Sequence, residues 1–246
     1  MPTLLYKDTT LVKGIAFDSW RRVGSLMQAI KVYSLREVDE LIFLDISASA
    51  RGRRPDFSLV DDFADECFMP LTVGGGIRTI DDVRQLLAVG ADKVAINTAA
   101  VQNPDLIAEI AAQFGSQCVV VSIDYKSDEA GKKRVYTLSG KKATETDPLA
   151  FALLAEKKGA GEILLTNINR DGTMTGYDYE TIRQVADAVS VPVIASGGAG
   201  CYDHMLKAIT QGHASAVAAA SIFHFTQQTP LEAKIYLRQH GINTRL

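Results

Sequence analysis

The chain has 246 residues, 47% of them hydrophobic and 22% charged, with a formal net charge of −3. That balance describes a protein able to bury a large core, and it excludes the strongly basic footprint that bulk nucleic-acid or membrane-surface binding requires. Three cysteines, Cys67, Cys118 and Cys201, make neither an even framework nor a metal-ligand spacing, so free thiols in a reducing compartment are expected, with no metal and no other cofactor.

The chain opens without a basic-then-apolar leader and holds no apolar run of membrane-spanning length, which points to the cytoplasm. In chain order, short apolar runs predict strands over 3–6, 41–46, 71–73, 93–96, 118–123, 163–167, 191–195 and 215–219. Several are apolar throughout, as strands covered on both faces are. Helix-start signals fall between them. Asn103-Pro104, Asp147-Pro148 and Thr229-Pro230 each offer a cap residue followed by proline, and Thr229 with Glu232 fits a capping box. Eight strand–helix units with no linker-like tract predict one (β/α)₈ barrel over residues 1–246. An open doubly wound sheet is the alternative, and it fits an internally duplicated chain less well.

The chain is written twice. Thr72-Val73-Gly74-Gly75-Gly76-Ile77 has its counterpart in Ala195-Ser196-Gly197-Gly198-Ala199-Gly200. Glu40 and Glu162, like Gly90 and Gly212, stand 122 residues apart. The half-barrels divide roughly into 1–117 and 118–246. Each glycine-rich turn follows a strand and precedes a helix, at the end of the barrel where such folds carry their chemistry. Glycines let the backbone approach an anion, and a following helix N-terminus offers N–H groups. Glycine clusters also simply make tight turns; the repetition in register is what points to two phosphate sites and an elongated bisphosphate-like ligand, or a substrate using a site inherited from one.

Phe43-Leu44-Asp45-Ile46, Val73-Gly74-Gly75-Gly76-Ile77, Ile96-Asn97-Thr98-Ala99-Ala100, Arg170-Asp171-Gly172-Thr173 and Ser221-Ile222-Phe223-His224-Phe225 carry a specific resemblance. The chain resembles, essentially end to end, the cyclase subunit of imidazole glycerol phosphate synthase. That resemblance implies a heterodimer with a glutaminase docked on the barrel bottom, whose ammonia crosses the barrel to a phosphorylated substrate at the top. It implies one phosphate site at Gly76, Asn97 and Thr98, and another at Asp171, Gly172, Gly198, Ala220 and Ser221. Lys13, in a flexible-looking first loop with Phe17, would reach the substrate, and Asp45, Ser139, Thr166 and Ser196 would line its pocket. Asp124 would be one of two catalytic aspartates. Glu40, Lys93 and Glu162 match charges that gate the ammonia entrance; a buried ion-pair ring that merely closes the barrel is the other reading.

The departures carry as much information. The family's other catalytic aspartate ends the first strand, where this chain has Leu5. Asp8 is three residues further on and a poor substitute. An isobutyl group transfers no proton, and general acid–base help is typically worth ~10²–10⁴-fold, so ring-closing cyclisation is expected to be badly impaired. Asn169 also replaces a family aspartate, and the basic residue completing the gate ring has no counterpart. Leu5, Val38-Asp39-Glu40-Leu41 and Glu66-Cys67-Phe68-Met69-Pro70 resemble a divergent branch associated with surface polysaccharides. There the barrel and its glutaminase supply ammonia that turns an acetamido group on a nucleotide-linked sugar into an acetamidino group, with a third, synthetase-like protein. Arg51, Arg53 and Arg54 would meet such an anionic substrate or a partner, or simply make a solvated loop. Three readings compete: a sugar-amidination subunit, a histidine-pathway cyclase, and a non-catalytic ammonia channel or scaffold. A related bisphosphate isomerase shares the half-barrel repeat but also wants both aspartates.

Overall fold

Residues 1–36 and 38–245 are described by the computed structural model. Eight short parallel strands make its inner wall: β1 (Thr3–Lys7), β2 (Leu41–Asp45), β3 (Leu71–Gly74), β4 (Lys93–Ile96), β5 (Val119–Ser127), β6 (Glu162–Asn167), β7 (Val193–Ser196) and β8 (Ala216–Val217). They pair in chain order. The ring closes where the Thr3 amide donates to the Ala219 carbonyl and the Ala219 amide to that of Met1, each at 3.0 Å. The protein is a (β/α)₈ barrel.

Because successive side chains point to opposite faces of a strand, and both faces are covered here, the strands build two apolar layers. Leu4, Leu41, Phe43, Val73, Val94, Val121, Ile123 and Ile163 face outward into the main core beneath the helices. Ile42, Ala95, Val120, Leu164, Ile194 and Ala218 fill the barrel interior. The outer ring is α1 (Leu26–Leu35), α2 (Phe57–Ala64), α3 (Ile80–Ala88), α4 (Asp105–Phe114), α5 (Pro148–Lys157), α6 (Tyr179–Ala186), α7 (Tyr202–Thr210) and α8 (Pro230–Gln239). Asp147 caps α5 by accepting from the amides of Leu149 and Ala150, and Thr229 with Glu232 closes a full capping box on α8. The signal at Asn103-Pro104 is displaced by a residue: Pro104 itself is the N-cap of α4, and the Asn103 carbonyl accepts from Leu106.

Two features at the top of the barrel have no strong periodic signature. An antiparallel hairpin, Thr10–Ile15 with Asp18–Gly24, continues from β1. Its tip holds Ala16, Phe17 and Ser19 at φ of 51°, 61° and 52°, a region where non-glycine residues are uncommon. Strand β5 runs on past Asp124 and pairs with Lys133–Thr137. Short helices Thr98–Gln102 and Ser221–Phe225 follow β4 and β8.

The duplication holds at the level of strand register. Leu5 pairs with Leu44 and Leu44 with Gly74 across β1–β2–β3. Asp124 pairs with Thr166 and Thr166 with Ser196 across β5–β6–β7. Leu5 and Asp124 therefore occupy equivalent positions, apolar in one half and polar in the other. Among the described residues no helix is long and apolar enough to cross a membrane.

Candidate active site

The C-terminal ends of the strands open into a mouth with two adjoining lobes. The larger encloses about 750 Å³ of empty space counted out to its opening, and is lined by Leu5, Lys13, Phe17, Trp20, Thr166, Asp171, Gly172, Ser196, Gly198, Ala220 and Ser221. The smaller is lined by Asp45, Ser49, Gly75, Gly76, Asn97, Thr98 and Ser122. Leu44, Ile46, Asp124 and Ser139 line both. The pocket and phosphate residues expected at the top thus gather at one end of the barrel, with Asp124 at the junction.

Asp124 points inward because it lies two residues beyond Ser122 on the same face of β5. Burial pushes its carboxyl up to about 7 and the nearby charge of Asp171 adds to the shift, while hydrogen bonds from Ser122 and Thr166 pull it back. The Ser122 hydroxyl sits 3.3 Å from Oδ1. A carboxyl poised near neutrality can take up or release a proton at working pH, as a general acid–base group must. Leu5, its counterpart, is nearly inaccessible and has no such capacity. Asp8 is ion-paired with Arg51 and does not line the mouth.

The second-half lobe has the makings of an anion grip. Gly197 and Gly198 hold φ of 87° and 115°. A side chain at Gly198 would stand 2.2 Å from the Gly176 carbonyl oxygen, so only glycine lets these segments meet. The Ser221 hydroxyl lines this lobe, buried and without a hydrogen-bond partner. An unsatisfied buried hydroxyl is costly without a ligand to bond. In the first-half lobe the donors are already engaged: the Gly76 amide reaches Ser49 Oγ at 3.1 Å, and Thr98 Oγ1 donates to Asn97 Oδ1 at 3.3 Å while accepting from the Leu138 amide at 3.0 Å. Asn97 Nδ2 donates to the carbonyls of Ser122 and Tyr136.

The helices after the glycine turns do not offer free N–H groups in the expected way. α3 begins only at Ile80 and is closed by a capping box between Thr79 and Asp82. Ahead of α7, the Gly200 amide donates to His204 Nδ1. An anion at either turn would meet the turn backbone and the short helices instead.

Other expectations are corrected in detail. Lys13 is no part of a flexible loop; it is a buried strand residue in the hairpin, with Nζ 2.6 Å from Asp171 Oδ2. The Ala16 amide donates to the Asp171 carbonyl, and a side chain at Gly172 would collide with Gly14, so the hairpin is seated on the β6 loop. Asp45 turns Oδ1 into its own loop, accepting from the amides of Ser47 and Ala48 and from the Ser47 hydroxyl. Ser139 donates to the Ile46 carbonyl at 2.5 Å, and Asn169 accepts from the Ser127 amide. The arginines of the second loop are paired within the chain: Arg51 with Asp8, Arg53 with Asp45, Arg54 with Asp81 and Asp82. Trp20, Ser49 and Ser122 also line the mouth, although no sequence motif marks them. The available signal for Ser122 is its place two residues before Asp124.

At the opposite end, Lys93 Nζ bridges Glu40 Oε2 at 2.8 Å and Glu162 Oε1 at 2.6 Å. Burial works to lower the Lys93 ammonium's pKa, but the hydrogen bonds to both glutamates outweigh it and the net shift is upward. Glu162 Oε2 is buried and without a hydrogen-bond partner, as is Thr3 Oγ1 further up the barrel. Among the described residues no cluster of His, Cys, Asp and Glu could hold a metal ion. A family model described as histidine biosynthesis protein matches residues 1–229.

Proposed function

We propose, from the premise that this chain belongs to the histidine biosynthesis protein family, that its barrel is an ammonia-using synthase subunit which serves amidination of an acetamido group on a nucleotide-linked sugar. The observation that carries the reading is the pairing of Leu5–Leu44–Gly74 with Asp124–Thr166–Ser196 in equivalent positions. A mouth with one carboxyl of raised pKa suits proton removal from an attacking amine, whereas paired acid–base cyclisation calls for two such groups.

In this reading a glutaminase docks on the bottom face. Leu35, at the end of α1, and Phe68, just before β3, lie at that end and are 85% and 83% exposed. They flank one corner, since the Ser34 hydroxyl donates to the Glu66 carbonyl at 2.8 Å. Apolar side chains this exposed suit an interface. Ammonia enters past Lys93, Glu40 and Glu162 and rises through the barrel. At the top its lone pair attacks the amide carbon of the acceptor, whose oxygen has been activated at the expense of a nucleoside triphosphate by a third, synthetase-type protein. A C–N bond forms and the C–O bond breaks. The oxygen departs with the activating group, and Asp124 accepts the proton released by nitrogen.

The experiment is nitrogen transfer from [amide-¹⁵N]glutamine in a mixture of barrel, glutaminase, synthetase, nucleoside triphosphate and acetamido sugar nucleotide. The label is expected in the amidino group only when all three proteins are present. Label incorporation that ignores omission of the barrel, or survives Asp124→Ala undiminished, overturns the reading. Family membership favours a second reading, the histidine-pathway cyclase, and Leu5 weighs against it.

A further inference from the structure

The apolar half of the floor has a construction of its own. Leu5 and Leu44 are register neighbours on β1 and β2, and Leu164 lies one inward position below Thr166 on β6. All three line the larger lobe. Leu44 leans across Gly74 so closely that any side chain there would meet its Cδ2 at 2.6 Å. The other half has Ser196 at the position equivalent to Gly74, beside Thr166. Glycine in one half and serine in the other is thus what allows an isobutyl group to cover the floor on one side and hydroxyls to remain on the other. The hairpin holds Phe17 and Trp20 along the same lobe. Trp20 stays in place because Gly14 leaves room for the indole edge, 2.9 Å from where a side chain would begin.

A ligand in this lobe therefore meets an apolar floor on the β1–β2 side, and a carboxyl and two hydroxyls on the β5–β7 side. A wholly polar ligand would leave the leucines in contact with water. A ligand with no polar group would displace water from Asp124, Thr166 and Ser196 and offer them no bond in return, at a cost per buried polar group that exceeds the gain from one methyl. The matching ligand is one that changes from alkyl to polar within two bonds.

We infer that Leu5, Leu44 and Leu164 form a seat for the small alkyl group of an acyl amide, which turns the amide carbon of the acceptor toward Asp124, Thr166 and Ser196 while a phosphate lies against Ser221 and Gly198. The inference rests on the amidination reading and names the part of the substrate that this side of the mouth selects. It assigns Leu5 a positive role: the residue that removes one acid also supplies the surface that recognises the acceptor.

The test is binding, measured by titration calorimetry and by the emission of Trp20, the chain's one tryptophan. The probes are N-acetylglucosamine 1-phosphate, glucosamine 1-phosphate, glucose 1-phosphate and inorganic phosphate. Burial of one methyl group is worth roughly a fourfold change in affinity, so the acetylated sugar is expected to bind about fourfold or more tightly than glucose 1-phosphate. Inorganic phosphate is expected to compete with all three. Leu5→Asn and Leu44→Ala are each expected to abolish the acetyl preference while phosphate competition remains; two variants guard against one that fails to fold. Equal affinity for acetylated and unacetylated sugars, a preference that survives both variants, or sugars binding no tighter than phosphate alone overturns the seat. Nitrogen transfer without an acetyl preference would refute the seat alone, and an acetyl preference without nitrogen transfer would refute the amidination reading alone.

Discussion

Asp124 concentrates the electrostatics of the mouth in one side chain. Burial holds its pKa near 7, far above that of an unfolded aspartate at about 3.9. The folded state therefore binds more protons than the unfolded chain between those values, and stability contributed by the neutral acid is lost as pH rises through 7. Asp124→Asn is expected to leave stability unchanged near pH 4 and to raise it at pH 8 by on the order of 4 kcal/mol. For a chain of this size that is roughly 8–16 °C in melting temperature. A variant that melts below the parent at pH 8 would show that the carboxylate is stabilised where it stands. At this scale the sequence was partly legible: an aspartate directly after an apolar run marks itself, although its strand continues to Ser127, and so does a leucine in its twin position. The side-chain commitments of Asn97 and Ser139 were not, because each depends on a carbonyl brought near only by the closed barrel.

Two elements set how the mouth and the base of the barrel behave. The hairpin over the mouth is fixed through Gly172, whose φ of 76° and contact with Gly14 leave no space for a methyl group. Gly172→Ala is expected to unseat the hairpin at a cost of about 1–3 kcal/mol, with Trp20 emission shifting to longer wavelength. An unchanged spectrum would mean that the hairpin is held by other contacts. At the base, Lys93→Met leaves Glu40 and Glu162 facing each other without a cation. The expected loss is about 2 kcal/mol; calorimetric melts read it directly, and a variant as stable as the parent would contradict the ion-pair account. The barrel strands and the starts of α5 and α8 were legible because both-face burial and cap–proline pairs leave local signatures. The hairpin was not, since its tip places Ala16, Phe17 and Ser19 in a conformation that gives no sign in composition.

The whole molecule keeps a twofold frame and breaks it chemically. The 122-residue repeat predicted the frame, and the strand registers reproduce it through Leu5–Leu44–Gly74 and Asp124–Thr166–Ser196. The two anion lobes depart from that symmetry, with Ser221 unpartnered in one and Thr98 engaged in the other. Only tertiary structure could reveal this. On the opposite face, Leu35→Asp with Phe68→Asp is expected to weaken the proposed complex with a glutaminase at least tenfold in sedimentation or calorimetry, with the melting temperature unchanged. Binding at parental strength would move the docking surface elsewhere. The barrel pairs Leu5 in one half with Asp124 in the other, one acid where two-acid cyclisation needs a pair. Free ammonium and the bisphosphate substrate of the histidine-pathway cyclase, supplied to the parent chain and to Leu5→Asp, decide whether that one acid is limiting. No measurable cyclisation is expected from the parent and turnover is expected to appear in the variant; robust cyclisation by the parent would overturn the amidination reading.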